Sequence, residues 1–139
     1  KLATLTGIAR TTILAYLQYL HEAKLIRLLY SDDLSVKKMQ KPDKILMENT
    51  NLLQALSLQV PNIGTMRETF FCNQLGYTHQ VEYNKRGDYL IDHKYVFEIG
   101  GKTKDGKQVA NMENAYIASD ECDYPIGNKL PLWLFGLMY

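Results

Sequence analysis

Apolar positions along this chain change their period several times, and each change marks an element. Ile13, Leu17 and Leu20 stand at helical spacing and predict a helix with a buried stripe. The β-prone run Leu25–Tyr30 follows, then a turn at Ser31-Asp32-Asp33 and a returning strand at Lys44–Met47. Asn49 or Thr50 caps a short helix through Leu56, with Leu52, Leu53 and Leu56 turned inward. Pro61 closes that segment and Asn62 caps the next. Ile63, Met66, Phe70 and Tyr77 then share one face of a helix from about Ile63 to Gly76.

Beyond Gly76 the period shortens. Gln80–Tyr83, Asp88–Ile91, Tyr95–Ile99 and Ala115–Ala118 read as strands, with a weakly helical stretch from Gln108 to about Met112. Pro131–Phe135 reads as a capping helix or strand with Trp133 in the core. The second and third strands form a hairpin whose register the sequence leaves open. With Asp92-His93-Lys94 as the turn, Ile91 pairs with Tyr95 and Asp88 falls opposite Glu98. With His93-Lys94 alone, the two acids point to opposite faces. His-Lys is a poor two-residue turn, so the longer turn is expected.

Composition narrows the class. Apolar content of 46% and charged content of 22% are those of a globular protein. No apolar run approaches the ~20 residues that span a bilayer, and the start lacks a signal peptide's apolar core. The cysteines, Cys72 and Cys122, are expected to be free thiols in a reducing cytoplasm. A net charge of +1 gives no overall pull on nucleic acid, so such binding needs a local patch. Lys37, Lys38, Lys41 and Lys44 supply one, read first as a solvated face and alternatively as a phosphate-tracking wing. His21, His79 and His93 show no metal-ligand spacing.

Ala3, Gly7 and Ile13 stand four and six residues apart, a spacing that resembles the helix-turn-helix motif. The small residue lets two helices approach, the glycine takes the turn's positive φ and Thr11 caps the second helix. Arg10, Thr11, Thr12, Ala15, Tyr16 and Tyr19 would then face a DNA groove or a docking partner. The chain opens without Met or a cap, as a piece of a longer polypeptide cut inside a domain would. Residues 1–61 are read as a truncated winged helix-turn-helix with its connector, and residues 62–139 as a second domain.

The order helix, three strands, helix, strand in that second part is the core order (αβββαβ) of the PD-(D/E)XK, or restriction-endonuclease-like, fold, an α/β class of mixed α+β character. The runs Asn62–Phe71, Gly87–Ile91, Phe97–Lys102 and Leu130–Gly136 closely resemble the C-terminal region of a family of prokaryotic AAA+ ATPases. In that family an ATPase domain precedes a winged helix and a nuclease-like domain. The resemblance covers nearly the whole chain and implies an upstream ATPase domain in the same polypeptide. ATP would bind only there, since these residues contain no Gly-x-x-x-x-Gly-Lys-Ser/Thr loop.

The resemblance also implies a site. Nucleases of this fold hold Mg²⁺ with acids and place a lysine beside the second one. Asp88 and Glu98 would be the metal ligands, Glu68 a third acid and Lys102 the lysine, with Gln108 facing the site from the following helix. The pattern wants Glu-x-Lys, yet position 100 is glycine. In an extended strand Lys102 points to the same side as Glu98 but ~6.6 Å further along. The proline that often precedes the first acid is replaced by Gly87. Three functions follow: a non-catalytic module binding nucleic acid or a partner protein, a Mg²⁺-dependent nuclease of DNA or RNA, or a structural and oligomerisation module for the ATPase. None involves a membrane.

Overall fold

The computed structural model describes residues 2–31 and 41–138, the side chain of Leu2 excepted. Lys37 and Lys38 lie outside the described residues. The fold is mixed α+β, with a two-stranded sheet and a five-stranded sheet.

The first half begins with α1 (Leu2–Thr6) and α2 (Arg10–Glu22), joined through Gly7 at φ +68°. A positive φ at that turn is cheap only for glycine. Thr11 does not cap α2: the N-cap is Ala9, with no side-chain hydrogen bond. The expected stripe is not buried either. Ile13 and Leu17 are half-buried, Leu20 is exposed, and α2 buries no residue. Its main neighbours among the described elements are α1 and β1, too little cover for a helix face.

Strands β1 (Ile26–Leu29) and β2 (Lys44–Met47) pair antiparallel, Ile26 opposite Met47. Asn49 caps α3 (Thr50–Leu56) by accepting from Leu52 N at 2.9 Å. Leu52 and Leu53 are half-buried, whereas Leu56, at the helix end, faces solvent. Asn62 caps α4 (Ile63–Leu75), its Oδ1 accepting from Gly64 N at 2.8 Å. The buried face of α4 is Thr69, Phe71, Cys72, Asn73 and Leu75 rather than the expected one. Ile63 and Tyr77 lie exposed at the two ends, and Phe70 is half-buried.

The larger sheet has the order β3 (Val81–Tyr83), β4 (Tyr89–Ile91), β5 (Tyr95–Gly100), β6 (Ala115–Ser119), β7 (Lys129–Pro131). The first three strands run antiparallel, and β5, β6 and β7 run parallel. No helix forms at Gln108–Met112, so the second helix of the expected αβββαβ order is absent and β5 connects to β6 through turns. That stretch makes successive turns, with Val109 N on Gly106 O and Met112 N on Val109 O. A 3₁₀ helix over Leu132–Leu137 ends the described chain. It buries Leu132 and Phe135, and Trp133 is exposed, opposite to expectation.

Alternation along the strands gives the sheet two apolar faces. Tyr89, Ile91, Phe97 and Ile99 pack against Phe71, Cys72 and Leu75 of α4 and against Phe135. Leu29 and Leu46 of the small sheet join that same core. Val96, Ala115 and Ile117 form the other face, closed by Val109 of the turn segment. The two sheets also touch directly: Tyr83 N donates to Tyr30 O at 2.8 Å. Arg27 pairs with buried Glu48 at 2.6 Å, and its guanidinium fills the space a side chain at Gly76 would need.

Candidate functional site

The hairpin takes the longer turn. Ile91 pairs with Tyr95, and Asp92 and His93 both adopt positive φ. Tyr89 pairs with Phe97, so one further step of that register sets Asp88 beside Glu98. Asp88 N donates to Phe97 O at 2.8 Å, and the Asp88 carboxylate accepts from Ile99 N at 2.7 Å. The acid thereby replaces a strand carbonyl at the end of β4. Gly87, where a proline was expected, runs so close to β5 that a Cβ would lie 2.9 Å from Phe97 O. Close backbone approach explains the glycine.

Glu98 follows Val96 by two residues and so faces away from α4. It is 2% exposed. A carboxylate at that depth is costly unless paired, and its partner is Lys104, with Nζ 3.0 Å from Oε1. The other oxygen, Oε2, is buried with no hydrogen-bond partner.

Lys104 was not found by the sequence pattern. The lysine expected from the resemblance, Lys102, is exposed and lines a separate cavity with Cys122 and Tyr124. The physical reason is that β5 does not extend past Gly100: the chain turns, with Lys104 N on Gly101 O at 3.1 Å. A Cβ at Gly100 would lie 2.8–2.9 Å from Cβ, Cγ and Cδ of Lys104. The lysine stem thus passes through the volume that a side chain at position 100 would fill. Burial works against the Lys104 charge, but its hydrogen bond to Glu98 and the negative charges of Glu98 and Asp88 outweigh it, so its pKa is raised. Asp88, Glu98 and Lys104 therefore form one electrostatic cluster. A signal did exist in the sequence: paired glycines after a strand permit a sharp turn, and a lysine beyond the turn can fold back.

Glu68 does not join this cluster. It lies on α4, and its Oε2 is 2.7 Å from Lys44 Nζ. Lys44 also stands over the Tyr89 ring, 5.1 Å from its centroid. Lys44 is therefore part of the contact between the halves and not a fully solvated residue. Gln108 is exposed on the turn segment. Arg10, Thr11 and Tyr16 are exposed and Thr12 is half-buried. Arg10 borders an apolar groove between α2 and the small sheet, lined by Ile13, Leu14, Leu17 and Ile45.

The remaining titratable groups make other pairs. His79 Nδ1 lies 2.7 Å from Asp92 Oδ2, and His93 Nδ1 lies 3.0 Å from Glu82 Oε2. Cys72 is buried, and burial pushes its thiol up to about 12, the behaviour of a structural core cysteine. Among the described residues no group of three or more His, Cys, Asp or Glu side chains is arranged to hold a metal, and no helix is long and apolar enough to cross a membrane. The oxygens this cluster could offer a cation are the unpartnered Oε2 of Glu98 and the carboxylate of Asp88. In comparisons with known proteins, no family model, no curated protein and no solved structure matches the chain.

Proposed function

We propose that residues 62–139 form a nuclease-type module of the PD-(D/E)XK kind, acting on nucleic-acid phosphodiesters with Mg²⁺. The observation that carries this reading is Lys104, whose stem occupies the space over Gly100 and whose ammonium meets buried Glu98. Position 100 carries no lysine, and Lys104 reaches Glu98 from beyond the turn.

Asp88 and Glu98 would hold the cation, Glu98 through the oxygen that has no other partner. The ion, when bound, supplies charge neutralisation at the phosphate and Lewis acidity toward water. Lys104 would orient the attacking water or offset charge developing on the phosphate oxygens. Asp88 keeps its place through the Ile99 N–H. The test is a Mg²⁺ and Mn²⁺ titration with plasmid and oligonucleotide substrates. Cleavage lost in Asp88→Asn, Glu98→Gln and Lys104→Met supports the site; a wild-type protein that cuts nothing under any of these conditions sinks it.

For residues 1–61 the reading is a winged helix that docks a partner protein, with the upstream ATPase domain implied by the resemblance as the first partner to test. An apolar groove with Arg10 and Lys41 at its edge suits a protein surface with acidic groups at its rim better than a phosphate backbone. Measuring DNA affinity at several salt concentrations decides this: an Arg10→Ala change that weakens binding and flattens the salt slope would favour DNA.

A further inference from the structure

We infer that Lys129 is a positioning residue that holds the Lys104 ammonium on Glu98. Only the catalytic consequence rests on the proposed nuclease site; the positioning itself does not.

The argument starts in the sheet. Glu98 pairs with Ile117 across β5 and β6, and Ile117 pairs with Lys129 across β6 and β7. The three residues form one row, and residues paired across a sheet project from the same face. Lys129 therefore rises on the Glu98 side, two strands away, or about 10 Å at the usual strand spacing. Between them passes the loop that carries Lys104. The Lys129 ammonium donates to Lys102 O at 2.6 Å, with a longer contact to Lys104 O at 3.5 Å.

A lysine ammonium placed on main-chain carbonyls acts as a fastener. The other holds on this loop lie at its start. Asp120 N donates to Gly100 O at 2.8 Å, and Ser119 Oγ donates to Gly101 O at 3.1 Å. Lys129 reaches beyond Gly101, to the main-chain carbonyls on either side of Thr103. Acid and fastener are thus set by one rigid row of the sheet, and the loop is tied to that row. Gly100 and Gly101 on one side and buried Gly106 and Val109 on the other stay anchored without the fastener; the stretch between them loses its tie to β7, and Lys104 shifts on Glu98.

The experiment compares full-length wild type with Lys129→Met, which keeps the stem and removes the donors, and with Lys129→Arg, which restores them. The first readout is the rate of reductive methylation of the Lys104 amine, followed by mass spectrometry. Faster labelling of Lys104 in Lys129→Met, at least several-fold, with protection regained in Lys129→Arg, is the expected result. The second readout is cleavage. A misplacement of about 1 Å costs on the order of a hundredfold in rate, so kcat should fall in Lys129→Met at unchanged KM and recover in Lys129→Arg. Unchanged labelling of Lys104 in a folded Lys129→Met protein overturns the inference, as does faster labelling that Lys129→Arg fails to reverse. Lys129→Gln takes the place of Lys129→Met if that variant does not fold. A wild type that cleaves nothing counts against the proposed nuclease and leaves the labelling comparison to decide the role of Lys129.

Discussion

Two glutamates on opposite faces of the large sheet each hold a lysine, and they show how differently one kind of pair can act. Glu68 and Lys44 stand 2.7 Å apart, with about a fifth of each side chain exposed. Glu98 and Lys104 are slightly further apart at 3.0 Å, but the Glu98 side chain is only 2% exposed. Distance alone would rank the first pair higher. Burial reverses the ranking, because a carboxylate without water depends on its partner. A third pair, His79 with Asp92, lies further out still, with 43% of the Asp92 side chain exposed. Pairs near solvent fasten neighbouring segments together at small energies. A buried pair with one unpartnered oxygen has room for chemistry.

The largest effect should come from breaking the buried pair. Lys104→Ala leaves Glu98 without its cation and should cost about 3 kcal/mol in denaturant unfolding, the low end for such a loss because Lys104 is one-third exposed. A change below about 1 kcal/mol would place Glu98 with the other two acids. Gly100→Ala acts on the same pair indirectly. Alanine normally stabilises a strand glycine by about 0.5–1 kcal/mol, but here its Cβ would displace the Lys104 stem. A net loss of about 1–2 kcal/mol is expected, together with loss of cleavage, and stabilisation would contradict the packing over Gly100. Lys44→Ala should cost about 1 kcal/mol or less and should leave metal dependence unchanged.

The smallest effect concerns Asp92. Its hydrogen bonds from His79 and from Gln80 N hold its carboxyl below the usual range. A depressed carboxyl contributes stability above the unfolded value of about 3.9 and loses it as pH falls through the folded value. Asp92→Asn should therefore unfold more easily than wild type at neutral pH, and the gap should close in acid below the ordinary aspartate range. A gap that persists unchanged at pH 2 would assign the effect to the strained turn instead of to charge.

Much of the scaffold was legible because local rules decide it. Asn49 and Asn62 cap helices as their side chains predict. Each strand of the hairpin lies within about a residue of its expected ends, and the poor turn chemistry of His93-Lys94 pointed to the longer turn. The misses share a cause. Trp133 and Phe135 are equally apolar, and only the 3₁₀ path after Pro131 sends Phe135 inward. The α2 stripe has helical spacing, but burial needs a neighbouring surface, which spacing cannot reveal. Lys102 was expected beside Glu98 on the assumption that the strand continued; the turn at Gly101 put Lys104 there. Glu68 has the residue type of a metal ligand, yet Lys44, distant in sequence, is its partner. Residue type and spacing specify elements, whereas a site depends on where loops return.

The shared core has a consequence for how this protein could have been assembled from parts. Leu29 and Leu46 belong to the small sheet but share one buried core with Phe71 and Leu75 of the larger unit. Arg27 likewise lies where Gly76 leaves room. A gene fusion that exchanged the first half for an unrelated one would remove those leucines and leave a gap beside α4. The two halves are therefore expected to be inherited together, with substitutions at Leu29 or Leu46 matched by changes in the shared core at Phe71 or Leu75, and substitutions at Arg27 by changes at Gly76.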